Sequence, residues 1–508
     1  MIENLFHTIV EYLKYNTSEP WLFSQTAFWV FFTVVIGFYS LFHEKVRRRN
    51  IFLLIVSLFF YYKTGGWFYI LLVFSCLFNY SFGWLIGKAS KMLWKKVFLA
   101  VGVLINLSLL GYFKYAYFFT DLLNRTFGEL FETYNWLAHW WNIMASSKID
   151  TMSIVLPVGI SFFTFQAISY LADVYKKRTQ VVGNLFDFSF YLSFFPQLVA
   201  GPIVRASNFV PQLYKPYQIT KSEFGHALFL ILCGLTKKII LSDYLSANLI
   251  DRVFDSPGSY TGAENLMAVY AYALQIYGDF SGYTDIAIGL ALLLGFRLPL
   301  NFNSPYKAVS LTDFWRRWHI SLSSWLRDYL YIPLGGNQKG KVRTSINLMI
   351  TMVLGGLWHG ASFSFVIWGT LHGLVLVIEK ALAPLGKRFL NRKYLQPFFM
   401  LIILHIVCLG WLFFRAESTE NIWLMLNKIR YTFKWQGILE FINGYKLVFG
   451  IIICGFIVHW LPWAWQEWVR GKFIGIPLWA KMLVVLIVLF ILQKFLLADI
   501  QPFIYFRF

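Results

Sequence analysis

Charge is scarce in this sequence. Only 14% of its 508 residues are Asp, Glu, Lys or Arg, against about 25% in an ordinary soluble domain. Hydrophobic types make up 58% and aromatic types 20%, so a water-facing surface of the usual kind is excluded. The simplest remaining solution is that much of the surface faces lipid, and membrane lipids become the first partner of the chain. Cysteine is also sparse. Cys76, Cys233, Cys408 and Cys454 each lie inside an apolar run and none forms a CxxC pair, which indicates neither a disulfide framework nor a metal site. The opening stretch MIENLFHTIVEYLKYN lacks a basic region followed by an apolar core and a small-residue cleavage site. No removable signal peptide is expected, and the apolar run 22–42 would act as an uncleaved insertion signal. The chain carries no GxSxG, HExxH, P-loop or Rossmann fingerprint, so nothing supports those chemistries. No internal repeat, low-complexity tract or long linker divides it, and a single membrane-embedded domain over 1–508 is expected.

The charge that is present is mostly positive, with a formal net of +20. It falls in short clusters between apolar segments: Lys45 with Arg47, Arg48 and Arg49; Lys88, Lys91, Lys95 and Lys96; Lys176, Lys177 and Arg178; Lys237 and Lys238; Lys387, Arg388, Arg392 and Lys393. This is the positive-inside pattern of cytoplasmic loops rather than a nucleic-acid-binding surface, and no nucleic-acid partner is expected. Charge-free stretches near the length of a bilayer crossing occur at 22–42, 67–87, 97–113, 151–172, 396–414 and 447–465. Shorter runs occur at 51–62, 224–236, 265–278, 286–296 and 482–493. The segment 189–204 contains Pro196, Gly201 and Pro202 and reads as a broken span or a re-entrant loop.

Residues 297–343 are polar yet sit between membrane segments. Within them Trp315, Trp318, Leu322, Trp325, Tyr329 and Ile332 recur at spacings of three and four, which predicts one amphipathic helix over 313–332. Ser310 followed by Asp313 is its N-cap signal, and Pro333 with Gly335 and Gly336 ends it. Such a helix lies along the membrane interface or packs inside the protein.

Nine histidines occur. His7, His43 and His139 have polar or terminal surroundings. His226, His372, His405 and His459 sit singly in or beside apolar spans, where a hydrogen bond to a neighbouring helix is the expected role. His359 differs. It lies in a run, 344–378, of 35 residues without Lys, Arg, Asp or Glu. At 1.5 Å per residue this is roughly 52 Å, too long for one crossing. Basic residues flank both ends, so the run must enter the membrane and return, with a break expected at Gly355-Gly356-Leu357-Trp358-His359-Gly360. An ionisable group at the innermost point of that excursion is a functional candidate. His319, beside Arg316 and Arg317, is the second. Two histidines without a Ser or Cys nucleophile motif suit general-base catalysis: a neutral imidazole takes the proton of an acceptor hydroxyl as its oxygen attacks a thioester carbonyl. Burial favours the neutral form, and a second polar group would orient the ring or stabilise the developing oxyanion.

The stretch from Tyr277 to Asp285 (YGDFSGYTD), then Phe302 to Tyr306 (FNSPY), then Asp313 to Gly336 (DFWRRWHISLSSWLRDYLYIPLGG), then Gly356 to Gly360 (GLWHG), resembles the core of the membrane-bound O-acyltransferase family. Together with Pro157 to Ser161 and Phe195 to Pro202, it is most similar to the alginate O-acetyltransferase branch. The resemblance covers roughly residues 50–415. It implies an all-α, multi-spanning helical ring around a central funnel or tunnel, with re-entrant and interfacial helices, in the inner membrane of a bacterium. It implies His359 as the catalytic residue and His319 as its polar partner. Asp279, Asp285, Arg297, Asn301, Asn303, Arg316, Arg317, Arg327 and Trp358 would be supporting or substrate-binding groups. The donor would be a cytoplasmic thioester, acetyl-CoA or an acyl carrier protein, with no tightly bound cofactor. The acceptor would be a polysaccharide, reached directly or through a secreted or membrane-anchored relay partner. The alternatives are a non-enzymatic channel or transporter built around the same polar centre, and a scaffold that recruits a soluble acetyl-transfer partner.

Overall fold

A computed structural model describes residues 13–16, 20–382, 392–416, 418–496 and 503–504. His7, Lys387 and Arg388 lie outside them, as does most of the opening stretch. Among the described residues every regular element is helical. Within these described residues five helical runs are long and apolar enough to cross a membrane: Val46–Lys88, Met92–Phe127, Lys221–Asp255, Phe363–Ala381 and Lys393–Arg415. A sixth arises if the bent pair Trp435–Gly444 and Lys446–Trp460 counts as one span. The chain is a multi-pass integral membrane protein.

Several expected boundaries move, each for a local reason. The runs 265–278 and 286–296 are not separate. They belong to one helix of 32 residues, Gly262–Leu293, started by a reciprocal capping box between Thr261 and Glu264. The polar stretch between them stays helical because its carboxylates find cations on the neighbouring helix. That neighbour, Lys221–Thr236, opens with a second capping box, Thr220 with Glu223, and continues through wide π-helical turns. The two helices meet along a seam of glycines. A Cβ on Gly234 would lie 2.6 Å from the Gly282 carbonyl oxygen, and one on Gly289 2.8 Å from that of Ala227. Such close approach is how helices associate where lipid supplies no hydrophobic drive. It carries Lys237 onto Asp285 at 2.6 Å and Lys238 onto Asp279 at 2.7 Å, and Lys238 also pairs with Asp243 of its own helix at 2.8 Å. Lys237 and Lys238 are therefore interior groups, not the cytoplasmic loop cluster their sequence position suggested.

The run 151–172 is helical only from Ile160, as Ile160–Tyr175. Pro157 and Gly159, the latter at φ +74°, hold the preceding residues out of helix. The segment 189–204 is broken, as expected. Leu185–Ser193 and Phe195–Leu198 are short helices around Phe194, and Phe190, Tyr191, Phe194, Phe195 and Leu198 are fully enclosed. Irregular backbone at membrane depth is tolerated when protein surrounds it in this way.

The excursion through His359 is formed by Gly340–His359 and Phe363–Ala381. The turn falls at Gly360–Ser362, later than the Gly355-Gly356 pair, which stays helical. Gly356 serves packing instead: a Cβ there would collide with the Phe365 carbonyl oxygen, and one on Gly369 with that of Met352. Gly356→Ala is expected to cost on the order of 1–3 kcal/mol through overpacking, read as a lower thermal midpoint in detergent. An unchanged midpoint would contradict the close packing.

Candidate active site

The expected helix over 313–332 is interrupted at its centre. Leu311–Arg317 is capped by Ser310, whose hydroxyl accepts the Asp313 N–H. Trp318 is then extended, His319 is left-handed at φ +42°, and a new helix runs Ile320–Leu326. A left-handed backbone is uncommon for a residue with a side chain and persists only where its surroundings impose it. Here the irregular segment Asn301–Asn303 imposes it. The Ile320 N–H donates to the Asn301 carbonyl at 2.9 Å, and the Asn303 N–H to the Arg317 carbonyl at 2.9 Å. The Asn301 side-chain oxygen accepts from the Ser321 N–H at 3.1 Å and the Ser321 hydroxyl at 2.8 Å.

That same oxygen lies 3.2 Å from His319 Nδ1. Because Asn301 Oδ1 is an acceptor in this network, Nδ1 carries the proton and Nε2 presents its lone pair. Among the described residues Nε2, although buried, has no hydrogen-bond partner. The tryptophan stripe faces protein rather than lipid: Trp318 is enclosed, and Trp325 stacks on Phe165 at 3.8 Å and donates to the Phe165 carbonyl. Of the two settings open to an amphipathic segment here, the interior one is realised.

His359 is the last residue of its helix and is 2% exposed, while His319 is 0% exposed. Their ring centroids are 6.5 Å apart. Trp358 stands beside both, 5.8 Å from His319 and 5.0 Å from His359. Trp368 and Phe414 pack edge-on to His359, and Phe280 edge-on to His319 at 4.5 Å. The pair thus sits in an aromatic box, in which imidazole–substrate electrostatics are little screened. A cavity of about 50 Å³ reaches Trp358 from the side of Lys114, Pro157, Gly159, Ser161 and Phe162.

The other residues singled out in the sequence divide into two groups. Asn301 and Trp358 touch the histidines. Asp279 and Asp285 lie one layer out, paired with Lys238 and Lys237, and Asp279 also accepts from the Ile504 N–H at 2.7 Å. Asn303, Arg316 and Arg327 are exposed, and Arg317 is partly so. Arg317 pairs with Asp313, Arg327 with Asp328, and Arg297 is a surface group bonded to Glu223. None of these arginine contacts involves either imidazole. Of the remaining histidines, His405 bonds Tyr270 on another helix and His459 accepts the Tyr306 N–H, as expected for interhelical ties. His372 is buried against Trp368 and Trp315, with both ring nitrogens lacking a hydrogen-bond partner among the described residues.

Two neighbours of the site were not singled out in the sequence: Ser321, which shares Asn301 with His319, and Lys114, which donates to the carbonyls of Trp358 at 2.7 Å and His359 at 3.0 Å. Lys114 had a signal, being the lone charge between Lys96 and Asp121.

The membrane-bound O-acyltransferase family profile matches residues 136–414, which include both histidines. The chain is 41% identical to the probable alginate O-acetylase AlgI of Pseudomonas aeruginosa, over 82% of this chain and 76% of that protein. It is 38% identical to the peptidoglycan O-acetyltransferase of Helicobacter pylori, over 69% of this chain and 68% of that one. The teichoic acid D-alanyltransferase of Bacillus subtilis is 27% identical, over 52% of this chain and 70% of that protein. All three are named as acyl-transferring enzymes, and the match spans more than half of this sequence. The chain belongs to the membrane-bound O-acyltransferase family and is an acyltransferase.

Proposed function

We propose that the protein transfers an acetyl group from a cytoplasmic thioester, acetyl-CoA or an acyl carrier protein, to an extracytoplasmic polysaccharide or to a relay partner that serves one, in the inner membrane of a bacterium. The observation that carries the reading is the meeting of two imidazoles, 6.5 Å apart, in the buried interior of a multi-pass protein. The bacterial relatives named for polysaccharide or peptidoglycan acetylation support the acceptor class.

In this reaction His359 acts as general base. Its imidazole nitrogen takes the proton of the acceptor hydroxyl while the hydroxyl oxygen bonds to the thioester carbonyl carbon. The tetrahedral intermediate then collapses, the carbon–sulfur bond breaks, and the departing thiolate recovers the proton from the imidazolium. His319, its Nδ1 committed to Asn301, offers the Nε2 lone pair to a second hydroxyl of the acceptor and so orients the reacting one toward His359. Trp358 forms a wall beside both rings and helps to close the site to bulk water.

The test uses purified protein in liposomes with an acetyl-labelled thioester on one side only and a soluble glycan on the other. The expected outcome is release of the free thiol together with label on the glycan or in water. Solute flux through the protein without thioester turnover would overturn the reading in favour of a channel.

A further inference from the structure

We propose that Lys114, with Tyr115, is a positioning residue of the acyl-transfer site: it holds the last turn of the His359 helix from a different transmembrane segment, and so sets where the imidazole stands. The inference rests on His359 being the base.

A helix ends with carbonyls that have no partner within the helix. In Gly340–His359 these belong to Gly356, Leu357, Trp358 and His359. The first is met locally, by the Gly360 N–H at 3.4 Å. The other three are met from outside. The Tyr115 hydroxyl donates to the Leu357 carbonyl at 2.7 Å, and the Lys114 ammonium donates to those of Trp358 at 2.7 Å and His359 at 3.0 Å. One lysine and one tyrosine, adjacent in sequence, therefore satisfy three successive carbonyls of another helix. Residues Gly111–Tyr115 form a π-helical turn, a local widening that recurs at functional sites.

The chemistry suits the position. A cation at a helix C-terminus opposes the negative end of the macrodipole. An ammonium at low dielectric needs several acceptors, and two carbonyl oxygens supply them. The ammonium also lies 5.9 Å from the Trp358 ring centre, within the range of a cation–π contact. Trp358 and His359 are thus fixed through their backbones by Lys114 and through their rings by Phe414, Trp368 and Phe162. The Gly360–Ser362 turn that follows has no such side-chain support from its own helix, since Ser362 makes no cap bond. Without Lys114, the end of the helix and the imidazole on it would be free to shift, and a misplacement near 1 Å can cost a hundredfold in rate.

The experiment compares Lys114→Met, Lys114→Arg, Tyr115→Phe and His359→Ala in the same liposome assay, with melting and size-exclusion profiles for each. Lys114→Met is expected to lower kcat on the order of ten- to a hundredfold with KM for the thioester changed less than about twofold. Lys114→Arg, which keeps charge and several donors, should restore most of kcat, and Tyr115→Phe, which leaves the Leu357 carbonyl unmet, should fall between Lys114→Met and wild type. Lys114→Met at wild-type kcat, with His359→Ala inactive, would overturn the positioning role alone. His359→Ala at full activity would overturn the underlying catalytic reading instead. If Lys114→Met fails to fold, Lys114→Arg and Tyr115→Phe decide. A folded Tyr115→Phe with unchanged kcat, or a Lys114→Arg whose loss lies wholly in KM, would count against the inference.

Discussion

Replacing His359 by alanine is expected to lower acyl turnover by on the order of a hundred- to ten-thousandfold, with binding of the thioester largely retained. The base takes a proton only as the new carbon–oxygen bond forms, so its removal acts on kcat rather than on ground-state affinity. His359→Gln keeps the volume of the side chain and a hydrogen-bonding tip but no basic nitrogen, and should be as inactive as alanine. His319→Ala should cost less, because His319 orients the acceptor and does not take its proton. Asn301→Ala should resemble it, since Asn301 holds both the His319 ring at 3.2 Å and the Ser321 N–H at 3.1 Å. The measurement is single-turnover release of thiol from a labelled thioester. An active His359→Gln enzyme would remove His359 from the chemistry.

The second large effect concerns stability. Lys238 is buried between Asp243 and Asp279, at 2.8 and 2.7 Å. Lys238→Met leaves two carboxylates facing each other without their cation, a change that typically costs about 3–5 kcal/mol. The helix pair Lys221–Thr236 and Gly262–Leu293 should loosen, visible as a thermal midpoint several degrees lower in detergent. Activity should fall with it, because Asp279 precedes Phe280, the ring set edge-on to His319. Adding Asp279→Asn to Lys238→Met removes one of the stranded charges and should recover part of the loss. A single variant as stable as wild type would mean that water reaches the pair and screens it.

Much of the fold is written in the periodicity of the sequence. Charge-free runs located the helices at 22–42 and 396–414 within a few residues, and the long uncharged run 344–378 announced a helical excursion turning next to His359. Ser310 and Asp313 marked a helix start that the structure realises as a side-chain cap. The candidate histidines, with Asn301 and Trp358, were also nameable in advance. Other features were not. The stripe of Trp315, Trp318 and Trp325 is compatible with an unbroken helix, and the break at His319 comes from backbone hydrogen bonds to Asn301 and Asn303, distant partners that no local pattern reports. The gap between 265–278 and 286–296 looks like a loop because it is polar, yet it is helix because Lys237 and Lys238 come from another segment to neutralise it.

The division has one physical origin. Sequence alone determined that this chain is solvated by lipid, roughly where several of its helices lie, and which ionisable groups are out of place in such a setting, because all three depend on the balance of polar and apolar side chains along a single segment. Tertiary structure decided which charge meets which, that Lys114 caps the His359 helix, and that His319 and His359 stand together. Lipid and protein interior are almost equally apolar, so hydropathy does not say which of them a residue faces, and only the close packing of distant segments does.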